Sequence, residues 1–296
     1  MMIDDYANIW LHRLKWGYLI LIVVTLMSPV LYIMYISFNQ YGFGANRYAF
    51  TLEWYGLIAS DKLLVNALTW TLALSITTTL IAVPLSLVAA KYYKAAKNKL
   101  LPVLLLMSPL FVAPDIMGSA LLVYFKNLNK MFTWFGEQLG TSFFDSWFDL
   151  GFLTTLIGLI IYTVPYAFIV IIITMGRYRV EQTEAARSCG ASAWLAFRDI
   201  EFPQIRAGVF SACAFTIILC FNEYTRTSLL KGGFDTFTTV LISQMLNTGM
   251  SEQSYAMSSL VSFVAIAIIG TIIIFTLVRE DALSREARLK ANPVGS

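Results

Sequence analysis

Six long apolar stretches constrain the fold of this sequence more than any other feature. They cover residues 17–38, 67–90, 100–125, 151–176, a fifth stretch beginning at Ala207, and residues 255–278. A helix needs about 20 such residues to cross the hydrocarbon core of a bilayer. The sequence is 58% hydrophobic and 13% charged, against about 25% charged residues in an ordinary soluble domain. This composition excludes a soluble globular enzyme and a disordered chain, and it predicts an all-α membrane protein with six transmembrane helices.

Residue counts exclude several kinds of chemistry. His12 is the single histidine, and the three cysteines, Cys189, Cys213 and Cys220, show no Cys-x-x-Cys spacing. A histidine-based metal site or a histidine-dependent catalytic triad therefore cannot be built from this sequence. The motif Gly-x-x-x-x-Gly-Lys-Ser/Thr does not occur, so the sequence has no P-loop for a nucleoside triphosphate. We expect no catalytic residue, metal site or cofactor in the chain.

The distribution of basic residues predicts the orientation in the membrane. Of the 21 Lys and Arg residues, 15 lie in one set of connections and 6 in the other. Because cytoplasmic loops carry the basic excess, we expect a cytoplasmic N-terminal segment (1–16), a six-helix membrane domain (17–278) and a cytoplasmic tail (279–296). Contact with anionic lipid accounts for these basic residues without a nucleic-acid partner. The aromatic-rich external segment 126–150 is expected to form a short interfacial helix.

Two acidic residues are predicted to lie at membrane depth. The fifth stretch has 15 apolar residues, 207–221, so a spanning helix must also draw Asn222 and Glu223 into the membrane. Asp115 follows a proline inside the third stretch. Charged groups are costly in hydrocarbon, which makes both acids candidates for a functional site. Two alternatives stay open: Asp115 could cap a broken half-helix, and Glu223 could form a structural ion pair with Arg226.

The connection between the fourth and fifth stretches, residues 177–206, carries the most specific pattern. Its first half is rich in helix-forming residues, and Gly190 can end a helix there by adopting a positive φ. In the second half an apolar residue recurs every three positions, at Trp194, Phe197 and Ile200. This spacing predicts a short helix with one apolar face, which Pro203 is expected to stop. The face must pack against a partner protein or, alternatively, against the protein's own membrane-embedded ends.

The same connection resembles the signature loop of the membrane permeases of type I ABC importers. The matching positions are Glu184, Ala185, Ala186, Gly190, Ala191, Phe197, Ile200 and Pro203, with departures at Cys189, Phe202 and Ala207. The resemblance implies that the loop forms two coupling helices that dock on a separate ATP-binding subunit. It further implies that Glu184 meets a basic group of that subunit. ATP and magnesium are expected to bind there, and this chain is not expected to be an enzyme.

Three further segments, residues 50–55, 114–118 and 221–223, resemble the polyamine-type permease subfamily, in particular the second permease of spermidine/putrescine importers. The resemblance implies that the path of a small cationic solute is lined by Asp115, Asn222 and Glu223. It also implies a second, different permease and an external solute-binding protein at a bacterial inner membrane. The subfamily tends to have an acidic pair at the last two positions, so amino-acid derivatives, opines and ferric ion stay open as alternative solutes.

Two functions of other classes compete with this interpretation. A self-sufficient secondary transporter or channel would favour internal inverted repeats with broken helices in matching halves, and the sequence has no such symmetry. An intramembrane enzyme or a multi-pass scaffold is the other alternative, for which the sequence offers no catalytic constellation. Copurification with an ATPase and with a second six-span permease separates the importer from both.

Overall fold

The computed structural model describes residues 9–41, 47–140, 146–176, 178–249, 251–267 and 270–271. The regular elements in these ranges are helices, apart from an isolated β-bridge between Asn39 and Phe50. The helices are α1 (Ile9–Ser37), α2 (Glu53–Ser60), α3 (Lys62–Ala95), α4 (Leu100–Met107), α5 (Pro114–Leu139), α6 (Phe152–Met175), α7 (Val180–Ser188), α8 (Ala193–Ala196), α9 (Phe202–Asn222), α10 (Thr225–Leu230), α11 (Phe237–Thr248) and α12 (252–267). A 3-10 turn (Ser108–Phe111) follows α4, and a π turn (Phe197–Glu201) joins α8 to α9. The predicted all-α class is confirmed.

Several of these helices are long and apolar enough to cross a bilayer. Four qualify by themselves: Arg13–Ser37 within α1, then α3, α6 and the helical stretch Ala193–Asn222. The bent pair Leu100–Phe111 and Pro114–Leu139 qualifies together, which gives up to five spans among the described residues. The sixth predicted span, 255–278, begins in α12 and continues into residues outside the described ranges. A count of six therefore stays a prediction.

The third predicted span is not one straight helix, and the break agrees with the alternative that Asp115 lies at the start of a half-helix. The chain bends by 97° between Leu100–Phe111 and Pro114–Leu139. Val112 and Ala113 are extended, with ψ of 131° and 140°. At Ala113 the cause is Pro114, whose ring disfavours the helical conformation at the residue before it. Helix α5 then runs unbroken to its end, so residues 126–139 continue α5. The separate interfacial helix expected within 126–150 was wrong for this part of the segment.

The chain divides into two compact units, of which the first includes residues 1–62 and 243–266. Hydroxyl groups join three of its helices: the Tyr55 hydroxyl on α2 lies 2.8 Å from Ser37 Oγ on α1 and 2.6 Å from Ser259 Oγ on α12. The ring of Phe38 stacks on those of Phe50 and Tyr55. Only 11% of the residues in the most apolar part of α1 are buried inside the chain. Most of this helix therefore presents its apolar side chains to lipid or to another chain.

The second unit, residues 63–242 and 267–296, has its core where α3, α6 and α9 pack together. Small residues recur every four positions along the buried face of α9, at Gly208, Ala212, Thr216 and Cys220. Such spacing lets two helix backbones approach closely. A Cβ atom on Gly208 would lie 2.2 Å from Thr174 Oγ1 of α6. Helix α3 joins α6 through Ser86, whose hydroxyl donates to the Val164 carbonyl oxygen at 3.0 Å.

Candidate functional site

The connection between α6 and α9 contains two short helices that meet at a left-handed glycine. Helix α7 ends at Ser188, and Gly190 has a φ of +92°. The amide of Gly190 donates to the Arg187 carbonyl oxygen at 3.0 Å, and the amide of Ala191 donates to that of Ala186 at 3.1 Å. This pair of bonds is a Schellman motif, which satisfies the last carbonyl groups of a helix. The predicted helix end at this glycine is confirmed.

The second short helix is continuous with the membrane helix that follows, which corrects the expectation that Pro203 stops it. Helix α8 begins at Ser192, whose Oγ accepts a hydrogen bond from the Leu195 amide at 3.2 Å. The π turn Phe197–Glu201 then leads directly into α9, where the proline takes the second position. A proline ring normally collides with the carbonyl group four residues earlier. The wider π turn at this place relieves the collision, so the helix continues.

The exposure of the signature positions divides the loop into an outer and an inner part. Glu184, Ala185 and Gly190 are exposed, and the other five signature residues are half-buried. Trp194 is 67% exposed, whereas Phe197 packs on Phe202 with ring centroids 6.0 Å apart. The inner part of the predicted apolar face thus packs on the chain's own helix. The outer part presents an indole ring and a carboxylate to the surroundings.

Two lysines of α3 contact the ends of this loop, and sequence reasoning missed their role. Lys91 Nζ lies 2.9 Å from Glu201 Oε2 in the π turn. Lys94 Nζ donates to the carbonyl oxygens of Met175, at 2.9 Å, and of Tyr178. Burial raises the pKa of the Tyr178 hydroxyl above its usual value, so this group stays neutral. In the sequence both lysines indicate only the orientation of the chain in the membrane, because no spacing relates them to the loop.

The break between α9 and α10 holds a buried ion pair. Glu223 is 7% exposed and Arg226 is 5% exposed. Glu223 Oε1 accepts hydrogen bonds from both the backbone amide and Nη1 of Arg226, each at 3.0 Å. The guanidinium group also lies 4.3 Å from the centre of the Tyr162 ring, a favourable cation–π position. The ion-pair alternative for Glu223 is therefore the arrangement observed, and the neighbouring Asn222 is exposed.

Asp115 lies in a different environment, at the second position of α5. Its side chain is exposed, and the positive end of the helix dipole favours a carboxylate in this first turn. One face of α5 forms a shallow groove that is wide open to the surroundings, lined by Asp115, Ile116, Ser119, Ala120, Val123 and Tyr124. The carboxylate is the one charged group among these lining residues. This geometry suits the attraction of a cation into an otherwise apolar groove.

The two acidic regions meet through the backbone of α5. Gly118, three residues after Asp115, packs against α10: a Cβ atom there would lie 2.9 Å from Leu229 Cδ1 and 3.6 Å from Arg226 Cα. Helix α5, which carries Asp115, therefore packs against Arg226, the residue that neutralises Glu223. Glycine suits this close approach, since a side chain at this position could be accommodated only if the end of the Leu229 side chain moved aside.

Long apolar helices, one pair of them sharply bent, together with a two-helix loop between consecutive spans, define the class of helical multi-pass membrane proteins. The sequence matches the family described as "Binding-protein-dependent transport system inner membrane component" over residues 12–285. The chain belongs to this family. It is a multi-pass inner-membrane permease of an ABC importer.

Individual relatives sharpen this assignment. The chain is similar to the spermidine/putrescine transport system permease protein PotC of Escherichia coli (strain K12), with 23% identity over 258 residues that cover 86% of this chain and 91% of PotC. A PotC homolog of Mycoplasma genitalium is 26% identical over 205 residues, covering 68% of this chain and 65% of the homolog. A chain of the bacterial alginate ABC transporter, solved in complex with alginate pentasaccharide-bound periplasmic protein, has a TM-score of 0.63 at 17% identity and covers 92% of this chain and 94% of that one. At this identity the structural likeness shows a shared fold.

Proposed function

We propose that this chain forms half of the translocation path for a small cationic organic solute of the polyamine type. The observation that carries the proposal is the exposed carboxylate of Asp115 in the lining of a shallow, open apolar groove. Similarity to PotC over 86% of the chain supports the same class of solute. A single acid attracts a cation without trapping it, because the attraction between exposed groups is weakened by water and salt.

The three predicted pathway residues play different parts in this proposal. Asp115 supplies the attraction, and Asn222 contributes an uncharged polar group near the end of α9. Glu223 does not attract the solute by its charge, because Arg226 neutralises it. Its bond to Arg226 instead holds the break between α9 and α10 in place. The amide at Asn222 is the observation that favours the second candidate, a permease for an amino-acid derivative, an opine or ferric ion.

Membership of the family implies the other subunits of the importer. The importer has a second permease, which we take to be a different chain, and an external binding protein that delivers the solute. A separate ATPase binds ATP and magnesium and docks on the exposed part of the loop that includes Glu184 and Trp194.

In the resting state the path is open to the cytoplasm, where both termini lie. Closure of the ATPase pair draws the loops of the two permeases together and turns the path outward.

The geometry supports this transmission because α8 and α9 are one helical stretch, Ala193–Asn222. A displacement at Trp194 therefore reaches the break at Glu223 along a single element. A helix of n residues is about 1.5 Å × n long, so the stretch is long enough to link one membrane surface to the far side of the hydrocarbon core.

The test uses the importer reconstituted in liposomes, with radiolabelled spermidine as the probe. We expect ATP-dependent uptake by the wild-type complex, and Glu184→Ala to weaken copurification of the ATPase and reduce uptake at least fivefold. Glu181→Ala, on the same short helix but outside the signature, is the matched control and should leave both measurements unchanged. Normal uptake and normal copurification in Glu184→Ala would remove the assigned role of the loop. ATP-driven uptake of another solute but not of spermidine would refute the polyamine assignment alone.

A further inference from the structure

Lys91 and Lys94 are three residues apart on α3, so their side chains leave the same face of the helix. Lys91 reaches the end of the loop, where its Nζ lies 2.9 Å from Glu201 Oε2 and 4.6 Å from the centre of the Phe197 ring. The Glu201 side chain is only 5% exposed. Lys91 itself is 42% exposed, but removing the counter-ion of a buried carboxylate is costly, so Lys91 is the group that keeps Glu201 charged and in place.

Lys94 reaches the start of the loop. It donates to the carbonyl oxygens of Met175 and Tyr178, and its Nζ lies 4.3 Å from the centre of the Tyr178 ring. A cation at this position is favourable because α6 ends at Met175 and leaves carbonyl groups without helical partners. The Tyr178 hydroxyl in turn shares a hydrogen bond with Thr183 Oγ1 of α7. One lysine therefore links α3 both to the end of α6 and to the first helix of the loop.

The π turn makes the attachment at Lys91 necessary. Residues Phe197–Glu201 have the wider i→i+5 bonding pattern, which is rare, occurs mostly as single turns inside α-helices and is frequent at functional sites. A turn of this kind is the weakest point of the stretch that joins α8 to α9. Without a second support, a displacement of α8 would be absorbed by deformation of the turn. Lys91 supplies that support, because it contacts the turn at both Phe197 and Glu201.

We propose that Lys91 and Lys94, the lysine clamp, are positioning residues that make α3 move together with the loop. The proposal rests on the proposed function, since the motion in question is the one that the ATPase imposes. The lysine clamp contacts the loop at both ends, Lys94 at its start and Lys91 at its end. Helix α3 in turn contacts α6 through Ser86. The energy of ATP hydrolysis thus reaches three helices of the core and not α9 alone.

The experiment measures the number of spermidine molecules imported per ATP hydrolysed by the complete importer in liposomes. We expect Lys91→Gln to lower this ratio at least fivefold while ATP hydrolysis continues, and Lys94→Gln to lower it at least twofold. Lys91→Arg keeps the charge and should restore at least half of the wild-type ratio. Lys97→Gln, which removes an exposed charge from the same end of the membrane domain, is the matched control and should have no effect.

The outcomes separate the clamp from a general effect of charge or folding. A normal ratio in an assembled Lys91→Gln complex overturns the proposal, as does an equal fall in Lys97→Gln. If Lys91→Gln does not accumulate in the membrane, Lys94→Gln decides, because it removes one donor from two carbonyl oxygens, one of which still accepts from the Tyr178 amide, and leaves no buried charge; a normal ratio there overturns the clamp. A wild-type complex without any ATP-driven uptake refutes the proposed function, and the clamp with it. Active wild type with unaffected clamp variants refutes the clamp alone.

Discussion

Glu223, at the break between α9 and α10, and Asp115, at the start of α5, occupy opposite environments within one helical unit. The carboxylate of Glu223 is buried and bonded to both the side chain and the backbone of Arg226. The carboxylate of Asp115 is exposed beside an apolar groove. A buried and neutralised charge holds the fold, whereas an exposed charge can act on something outside the chain. Exposure and pairing, more than depth in the bilayer, decide which role an acid has.

The largest effect, a loss of folded protein, is expected when one partner of the buried pair between Glu223 and Arg226 is removed. Arg226→Gln leaves the carboxylate of Glu223 buried without a counter-ion, which costs about 3–5 kcal/mol in comparable sites. Glu223→Gln leaves the guanidinium group unpaired and should be nearly as damaging. We expect both variants to lower the amount of folded protein in the membrane, measured by detergent extraction and size-exclusion chromatography.

The double variant Glu223→Gln/Arg226→Gln provides the control for this pair. It removes both charges, and two amides can still form a hydrogen bond, so we expect it to recover most of the folded protein. A well-folded Glu223→Gln protein that has lost spermidine uptake would contradict the structural role. Such a result would move Glu223 into the solute path beside Asp115.

A smaller effect, confined to transport, is expected at the exposed acid. Asp115→Asn should leave protein level and ATPase binding unchanged, because the side chain has no buried contact to lose. Its KM for spermidine should rise about tenfold, equivalent to about 1.4 kcal/mol of lost attraction, and the difference from wild type should shrink in high salt. Asp115→Glu should retain uptake, and Glu137→Gln at the other end of α5 is the matched control. An unchanged KM in Asp115→Asn would rule out the attraction of cations by this groove.

The smallest effect is expected at the contact that joins the two regions. Gly118→Ala places a methyl group 2.9 Å from Leu229 Cδ1, which is the flexible end of a side chain and can move aside. Overpacking of this size costs about 1–3 kcal/mol, so the Tm should fall by a few degrees, about 2–4 °C per kcal/mol. Gly56→Ala, where a Cβ meets nothing within 4 Å, is the control and should not lower the Tm. Equal falls in both variants would show that α5 and α10 are not closely packed.

The sequence was sufficient to predict the features that depend on local chemistry. Apolar length located the long helices α1, α3, α6 and α9, and Gly190 could be recognised as a helix end because a positive φ favours glycine. The alternative pairing of Glu223 with Arg226 followed from their spacing on one helical turn. Each of these depends on residues that lie within a few positions of one another.

Features that depend on tertiary packing were missed or mispredicted. Pro114 left a broken helix open as an alternative, but residues on both sides of the 97° bend are mostly apolar, so a count of apolar residues places them in one span. Pro203 predicts a helix stop by the usual rule, and the π turn that accommodates it has no sequence pattern. Lys91 and Glu201 are 110 positions apart, and only the packing of α3 beside the loop brings them together.

The local spacing of Glu223 and Arg226 also bears on the biosynthesis of the protein. The two residues leave the ribosome three positions apart, so a translocation channel that admits the end of α9 receives both charges almost at once. They can enter the lipid as one electrically neutral unit, without waiting for another helix to supply a counter-ion. The pair between Lys91 and Glu201 has no such advantage, because its second member is synthesised 110 residues after the first. Formation of the pair between Glu223 and Arg226 is therefore a local event, whereas attachment of the loop must bring together two residues that lie far apart in the sequence.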